Sequence, residues 1–136
     1  MAAAVLANRA AELNKPKIIV SSSGTSSWHV GESAHHLSEK TWKSAGYTHI
    51  HAARQFLESN FDEVDLILAM DLSNRENILK FARNESDRSK VAMLRSFDPN
   101  ADSLEVPDPW GHEVEAYMDV LAMVEAAVSG LLTSLK

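Results

Sequence analysis

The sequence predicts an α/β layer fold with a small parallel sheet, formed by a single domain over residues 1–136. Short runs of apolar and β-branched residues alternate with segments of helical periodicity, which is the pattern of parallel strands joined by crossover helices. A chain of 136 residues with 45% hydrophobic content can bury one sizeable core. No internal repeat, linker or second domain is visible in the sequence.

The first half of the chain is predicted to hold two helices and one strand. Alanine and leucine favour a helix at the start, until Asn14 and Pro16 end it. The β-branched run after Pro16 is typical of a buried strand, and a loop rich in serine and glycine follows. Gly46 is placed to stop the second helix. In chain order the elements are Ala2–Leu13, Lys17–Val20, the loop 21–31, and a helix from Glu32 or Ser33 to Ala45.

The second half is predicted to hold two strands and two helices. The continuous apolar run Leu66–Met70 indicates a strand that is covered on both faces. Asp71 can cap a helix over Leu72–Arg83, because its carboxylate can accept hydrogen bonds from the free amides of the first turn. Val91–Leu94 is the next strand, and residues 97–111 form a loop that contains three of the four prolines.

The last segment has helical periodicity over its whole length. Apolar residues recur there at spacings of three and four, which places them on one face of a long helix. They are Val114, Tyr117, Met118, Leu121, Val124, Val128, Leu131, Leu132 and Leu135.

Composition argues against several classes of function. The formal charge of −6, with acidic and basic residues interspersed, disfavours a nucleic-acid partner, which would require a basic face. No apolar run approaches the roughly 20 residues of a membrane helix, and Met1–Ala11 lacks the basic start of a signal peptide, so a cytoplasmic protein is expected. The chain contains no cysteine, which excludes disulfides, thiolate metal sites and cysteine nucleophiles within these residues.

Two clusters of polar residues could suggest a ligand site. The loop Ser21–Ser27 has the serines and the glycine of a phosphate loop, but it lacks Lys and Arg, so an ordinary polar loop is favoured. Four histidines stand at adjacent or alternate positions, which does not bring two imidazoles to one helical face, and no metal site is expected. These are His35, His36, His49 and His51.

The segment Val106–Gly111 places Asp108 between two prolines and ahead of Trp110. Prolines restrict the flanking dihedral angles, so the carboxylate is presented in a limited set of directions. On spacing alone, a plain Asp-Pro turn before the last helix is favoured.

Five segments resemble, in the same order, the motifs of one protein family. Ser23–Gly31 is similar to a Ser-Ala-Gly-Thr…Trp-x-Val-Gly segment, and His51–Gln55 resembles a His-x-Ala-Arg-Gln motif. Leu66–Asn74 resembles a strand-to-helix Met-Asp-x-Ser-Asn signature, while Ser96–Pro99 and Asp108–Gly111 match two later loops. By these motifs the chain resembles low-molecular-weight protein tyrosine phosphatases throughout its length. The resemblance implies a three-layer α/β/α fold with a small parallel sheet.

The beginning of the chain departs from the family pattern. Members carry a Cys-x5-Arg-Ser phosphate loop between the first strand and the first helix. Met1–Leu6 looks like the residues just after that loop, so the resemblance implies a domain that lacks the first strand and the phosphate loop at its N-terminus. Either the gene begins further upstream and Met1 is an internal methionine, which is favoured, or the product is a truncated pseudoenzyme.

The resemblance also implies roles for five residues. In the family's reaction a cysteine thiolate attacks phosphorus, an arginine and backbone amides bind the phosphate oxygens, and an aspartic acid protonates the leaving phenolate. Asp108 matches that general acid. Trp28 and Trp110 match positions that line the substrate pocket. Ser23 and His51 resemble residues that brace the phosphate loop.

The function implied by the resemblance is hydrolysis of a phosphomonoester through a cysteinyl-phosphate, with no metal or cofactor. The substrate would be a phosphotyrosine protein or a small phosphomonoester, although one tryptophan replaces the two tyrosines usual after Asp-Pro, which leaves phosphoarginine open. Without a cysteine, the chain is expected to be inactive alone. The alternatives are a pseudophosphatase that binds partners through its Trp28 and Trp110 surface, and an arsenate-reductase-like relative, which the lack of cysteine disfavours. Self-association through an exposed sheet is a further expectation, with neither nucleic acid nor membrane as partner.

Overall fold

The computed structural model describes residues 1–12, 18–23, 36–48, 55–107 and 113–135, with the backbone alone at 36 and 37. Helices surround a small sheet in this part of the chain. In chain order the elements are α1 (Ala2–Ala10), α2 (His36–Ser44), α3 (Asn60–Glu63), β1 (Ile67–Ala69), α4 (Leu72–Leu79), α5 (Glu85–Ser89), β2 (Val91–Met93), a 3-10 helix (Leu94–Phe97) and α6 (Val114–Ser134).

The two strands lie side by side and run parallel, with Ile67 opposite Val91 and Ala69 opposite Met93. The helices α4 and α5 connect them, so the predicted crossover arrangement is confirmed. The strands are shorter than the predicted runs, and the predicted cover on both faces of β1 is incomplete. Ala69 is buried, but Leu66 just before the strand is 39% exposed.

The predicted buried strand Lys17–Val20 is wrong for the residues that the structure describes. Residues 18–20 have no strand conformation, and Ile19 is 88% exposed. A β-branched run forms a strand only where a neighbouring strand accepts and donates its backbone hydrogen bonds. The described sheet contains only β1 and β2, and neither pairs with residues 18–20.

The ends of two helices follow from hydrogen bonds that compete with the helix. α2 ends as predicted, because Tyr47 N donates to Trp42 O (3.0 Å) and Gly46, at a φ of 94°, closes the Schellman motif. α4 ends at Leu79 instead of the predicted Arg83. Past Leu79, Phe81 N and Ala82 N donate to carbonyls only three residues back (3.0 and 3.1 Å), and Asn84 then caps α5 by accepting from Asp87 N (2.9 Å).

The helix α6 forms the centre of the main core. It packs against α1, α2 and the 3-10 helix, and the side chains that it buries meet Val5 of α1 and Trp42 of α2. The predicted apolar face is partly wrong, since Val114, Met118 and Leu135 are exposed near the helix ends. The buried residues of α6 are Tyr117, Val120, Leu121, Val124, Ala127, Val128, Leu131 and Leu132.

By length and composition alone, α6 could cross a membrane, and it is the one helix of the described residues that meets this test. The core helix of a globular domain meets the same test. Because eight residues of α6 are buried inside the domain, its packing supports the role of a core helix.

One arginine fastens α3 to the start of α5. The guanidinium of Arg83 forms a bidentate ion pair with Asp62 (3.0 and 2.6 Å), and its Nε donates to Asp87 Oδ2 (2.8 Å). The side chain of Asp87 is 5% exposed, whereas that of Asp62 is 64% exposed. The hydrogen bonds from Arg83 hold the pKa of both carboxyl groups below the usual range.

We expect the substitution Asp87→Asn to lower the free energy of unfolding at neutral pH, and this loss to disappear in acid. Because the folded-state pKa is lowered, the stabilisation is fully present above the unfolded value of about 3.9 and is lost as the pH falls through the folded value. Urea unfolding of the parent protein and of Asp87→Asn, between neutral and acidic pH, measures the difference in their free energies of unfolding. The substitution Asp62→Asn, at the exposed carboxylate, should lower the free energy of unfolding by less. A gap between the Asp87→Asn and parent curves that stays constant at every pH would contradict this.

Candidate active site

Of the five residues predicted to form a site, the structure describes one. Ser23 lies in the described segment 18–23 and is exposed. Trp28, His51, Asp108 and Trp110 lie outside the described residues. The described structure therefore does not show whether these residues lie together. It does describe the segments that lead to Asp108 and to His51.

The segment before Asp108 is fixed to the carboxyl end of β1. Val106 is buried, and its amide donates a hydrogen bond to Met70 O (2.6 Å), just past the last residue of the strand. In parallel α/β sheets, ligands bind outside the carboxyl ends of the strands. The chain therefore leaves Val106 at this edge two residues before Asp108.

Two carboxylates occupy the free amides at the N-terminus of α4. Asp71 Oδ1 accepts from Asn74 N (2.7 Å), which confirms the predicted helix cap. Glu105 Oε1 accepts from Leu72 N (3.0 Å), although it lies far along the chain. Glu105 thus ties the segment before Asp108 to α4 as well as to the sheet.

Arg95, in the 3-10 helix, lies beneath the same segment. Its side chain is 7% exposed; Nη1 donates to Glu105 O (2.7 Å) and Nη2 donates to Asp102 Oδ1 (3.0 Å). The Nε–H group is buried and has no hydrogen-bond partner in the described part of the chain. The guanidinium therefore holds the backbone of residue 105 from one side while the end of β1 holds residue 106.

A cavity of about 360 Å³ lies between the start of α4 and this segment. Its lining combines a buried cation with carboxylates, hydroxyls and apolar side chains. A larger depression of about 560 Å³ is lined by α2 alone, so it has no opposite wall among the described residues. The smaller cavity is lined by Asp71, Ser73, Arg95, Ser103, Glu105, Val106, Pro107 and Met123.

The segment that leads to His51 is held by α1. Asn8 Nδ2 donates to Thr48 O (2.6 Å), and Thr48 N donates back to Asn8 Oδ1 (3.2 Å). Next to it, the hydroxyl of Tyr47 donates to Glu125 Oε2 on α6 (2.6 Å). Burial, together with this hydrogen bond, raises the pKa of Tyr47, so the phenol stays neutral as a donor.

Metal ligands are not grouped in the part of the chain that the structure describes. No cluster of three or more His, Asp or Glu side chains is found there. The side chains of the four histidines considered from the sequence lie outside the described set, so the prediction about them is untested.

Sequence reasoning missed the two residues that hold the segment before Asp108. Arg95 had a visible signal, because it interrupts the apolar residues Met93, Leu94 and Phe97 with a charge that the fold must bury. Glu105 had none, since its hydrogen bond to Leu72 depends on two segments that only the fold brings together.

Comparisons with known proteins point to one family. The family model for low molecular weight phosphotyrosine protein phosphatases matches residues 1–136. A low molecular weight protein-tyrosine-phosphatase of Streptomyces coelicolor is 40% identical over 117 residues, which span 85% of this chain and 71% of that protein. A putative low molecular weight protein-tyrosine-phosphatase of Synechocystis is 40% identical over 119 residues, spanning 88% of this chain and 76% of that protein.

A crystal structure shows the same fold. It is that of a protein tyrosine phosphatase from Entamoeba histolytica, with Hepes in its active site, and it superposes with a TM-score of 0.90 at 30% identity. The superposition covers 98% of this chain and 86% of that structure. The predicted resemblance and fold are confirmed, and the chain belongs to the low molecular weight phosphotyrosine protein phosphatase family.

Proposed function

We propose that the residues of this chain form the body of a phosphomonoester hydrolase that works through a cysteinyl-phosphate. The observation that carries the proposal is the attachment of Val106 to the carboxyl end of β1, which brings the segment before Asp108 to the ligand-binding edge of the sheet. Because these 136 residues contain no thiol, the nucleophile must come from residues outside them. By itself the chain is then inactive.

The proposed division of labour follows from the reaction. A thiolate attacks phosphorus, and Asp108 protonates the departing oxygen, then accepts a proton from the water that hydrolyses the intermediate. Trp28 and Trp110 form apolar walls that suit a flat aromatic ring. Ser23 and His51 hydrogen-bond to the loop that carries the thiol.

The proposed substrate is a phosphotyrosine side chain of a protein or a small aryl phosphate. The relatives from Streptomyces coelicolor and Synechocystis are named for protein tyrosine phosphatase activity, which supports this class. A cytoplasmic location stays a prediction.

A second candidate is a pseudophosphatase that acts as a binding module. It is favoured by the absence of cysteine from the whole 136-residue sequence. The exposure of Ile19 supports the related prediction of self-association, since an apolar segment that pairs with no strand among the described residues can offer backbone groups to another chain.

The test compares the 136-residue chain with a loop-restored protein, in which a strand and a Cys-x5-Arg-Ser loop of the family pattern precede Met1. We expect no turnover of an aryl phosphate by the chain alone, and turnover with an initial burst by the loop-restored protein, because only the latter can form the covalent intermediate. Initial rates and phosphoenzyme trapping measure both.

The control is the loop-restored protein with serine in place of its cysteine, which should be inactive. Turnover by the pure 136-residue chain would contradict the proposed mechanism. A folded loop-restored protein with neither burst nor turnover would favour the binding module.

A further inference from the structure

We propose that Arg95 and Glu105 are positioning residues, which hold the segment before Asp108 so that this carboxyl group can reach the leaving oxygen. The inference rests on the proposed function of Asp108 as general acid. It adds two residues that do not touch the substrate and act through the backbone.

Residues 105 and 106 are held at three points, two of them on the peptide unit that joins them. Arg95 Nη1 donates to Glu105 O (2.7 Å), and Val106 N donates to Met70 O (2.6 Å), so both polar groups of this peptide are bonded to the body of the domain. The side chain of Glu105 adds a third bond, from Leu72 N (3.0 Å). Only Pro107 separates this fixed unit from Asp108, and a proline restricts the backbone further.

The burial of Arg95 is hard to explain by stability alone. Removing a guanidinium from water is costly, and a buried ion pair is often no more stable than apolar residues of similar size. Here the cost is only partly offset, because the buried Nε–H group lacks a partner among the described residues. Asp102, the anionic partner of Arg95, is 91% exposed and contributes little. The remaining bond, to Glu105 O, is the one that fixes the backbone before Asp108.

The shape of arginine suits this task. Its planar group presents donors in a rigid fork, so Nη1 can bond Glu105 O while Nη2 bonds Asp102. A lysine has one ammonium group and cannot reproduce this fork. A shift of the segment would move Asp108 out of hydrogen-bond reach of the leaving oxygen, and displacements of about 1 Å can cost about 100-fold in rate.

The part of the effect that depends on the leaving group should fall on formation of the phosphoenzyme, because the later general-base step of Asp108 acts on the same intermediate for every substrate. Attack by the thiolate does not use Asp108, whereas departure of a poor leaving group requires its proton. A displaced segment therefore slows phosphoenzyme formation from substrates with poor leaving groups and leaves its formation from those with good leaving groups nearly unchanged. A merely structural role would slow both equally.

The experiment introduces Arg95→Met into the loop-restored protein and compares aryl phosphates with poor and good leaving groups. We expect kcat/KM, which reports the steps up to phosphoenzyme formation, to fall about 10- to 100-fold for the poor leaving group and less than about 3-fold for the good one. Glu105→Ala should act in the same direction, and Glu105→Gln, which keeps an acceptor oxygen for Leu72 N, should restore most of the rate. Because Glu105 is exposed, these two variants test the proposal even if Arg95→Met fails to fold.

A readout without catalysis accompanies the kinetics. Amide hydrogen exchange at Val106 should be at least about tenfold faster in Arg95→Met, in both the 136-residue chain and the loop-restored protein. The control is Arg88→Met, which removes an arginine that pairs with Glu85 at the surface and should change neither exchange nor rates.

Two results would overturn the inference. The inference fails if Asp108→Asn discriminates between poor and good leaving groups but Arg95→Met and Glu105→Ala do not. These two variants would then show either equal losses of rate for both leaving groups or no loss. If Asp108→Asn itself does not discriminate between the leaving groups, the proposed role of Asp108 as general acid is wrong. Faster amide exchange at Val106 in Arg95→Met would then show only that Arg95 stabilises the backbone there.

Discussion

In the loop-restored protein, Asp108→Asn is expected to lower turnover of a poor-leaving-group aryl phosphate by roughly 10²–10⁴-fold, while the cysteine still forms a phosphoenzyme. The thiolate and the phosphate-loop arginine carry the attack on phosphorus. In this first step Asp108 neutralises the charge on the departing oxygen, so the loss in phosphoenzyme formation should shrink as the leaving phenol becomes more acidic. Values of kcat/KM over a series of substituted phenyl phosphates, which report the steps up to phosphoenzyme formation, measure this dependence.

The control for Asp108 is another aspartate of the same part of the chain. Asp119→Asn removes an exposed carboxylate of α6, and it should change rates little for any leaving group. An equal loss for poor and good leaving groups in Asp108→Asn would mean that Asp108 shapes a turn and donates no proton.

Gly130→Ala is expected to destabilise the domain by about 3 kcal/mol, because a methyl group at this position overlaps a backbone atom that cannot rotate away. A Cβ on Gly130 would lie 1.8 Å from Phe97 O and 2.8 Å from Phe97 C. In an unobstructed helix interior, the same substitution stabilises by about 1 kcal/mol. The sign of the change therefore reports the close contact of α6 with the 3-10 helix. Urea unfolding of the loop-restored protein measures it.

The matched control is Gly46→Ala, which adds the same methyl group where no atom of the described residues lies within 4 Å. Gly46 has a φ of 94°, so the cost there is backbone strain of about 1–2 kcal/mol. Gly130→Ala should lose more free energy of unfolding than Gly46→Ala. A more stable Gly130→Ala would show that α6 and the 3-10 helix separate easily, and that the close approach does not constrain the fold.

The sequence by itself determined the features that depend on neighbouring residues. Asp71 caps α4 because its carboxylate reaches an amide three residues ahead, and Gly46 ends α2 because a glycine accepts a positive φ. The alternation of strand and helix, the parallel sheet and the core role of α6 follow from periodicity in the same way. The family motifs added Asp108, Trp28, Trp110, Ser23 and His51, whose roles stay predictions.

Only the tertiary structure decided what depends on distant segments. Ile19 has the sequence of a strand residue but is exposed, because strand pairing requires a neighbour that local sequence does not specify. Arg83 lies beyond the end of α4, and its guanidinium pairs with Asp62 of α3, a partner that local sequence does not specify. Arg95 binds the segment before Asp108 to the 3-10 helix, and Glu105 binds it to α4. Contacts of this kind between distant segments produce no periodic pattern in the sequence.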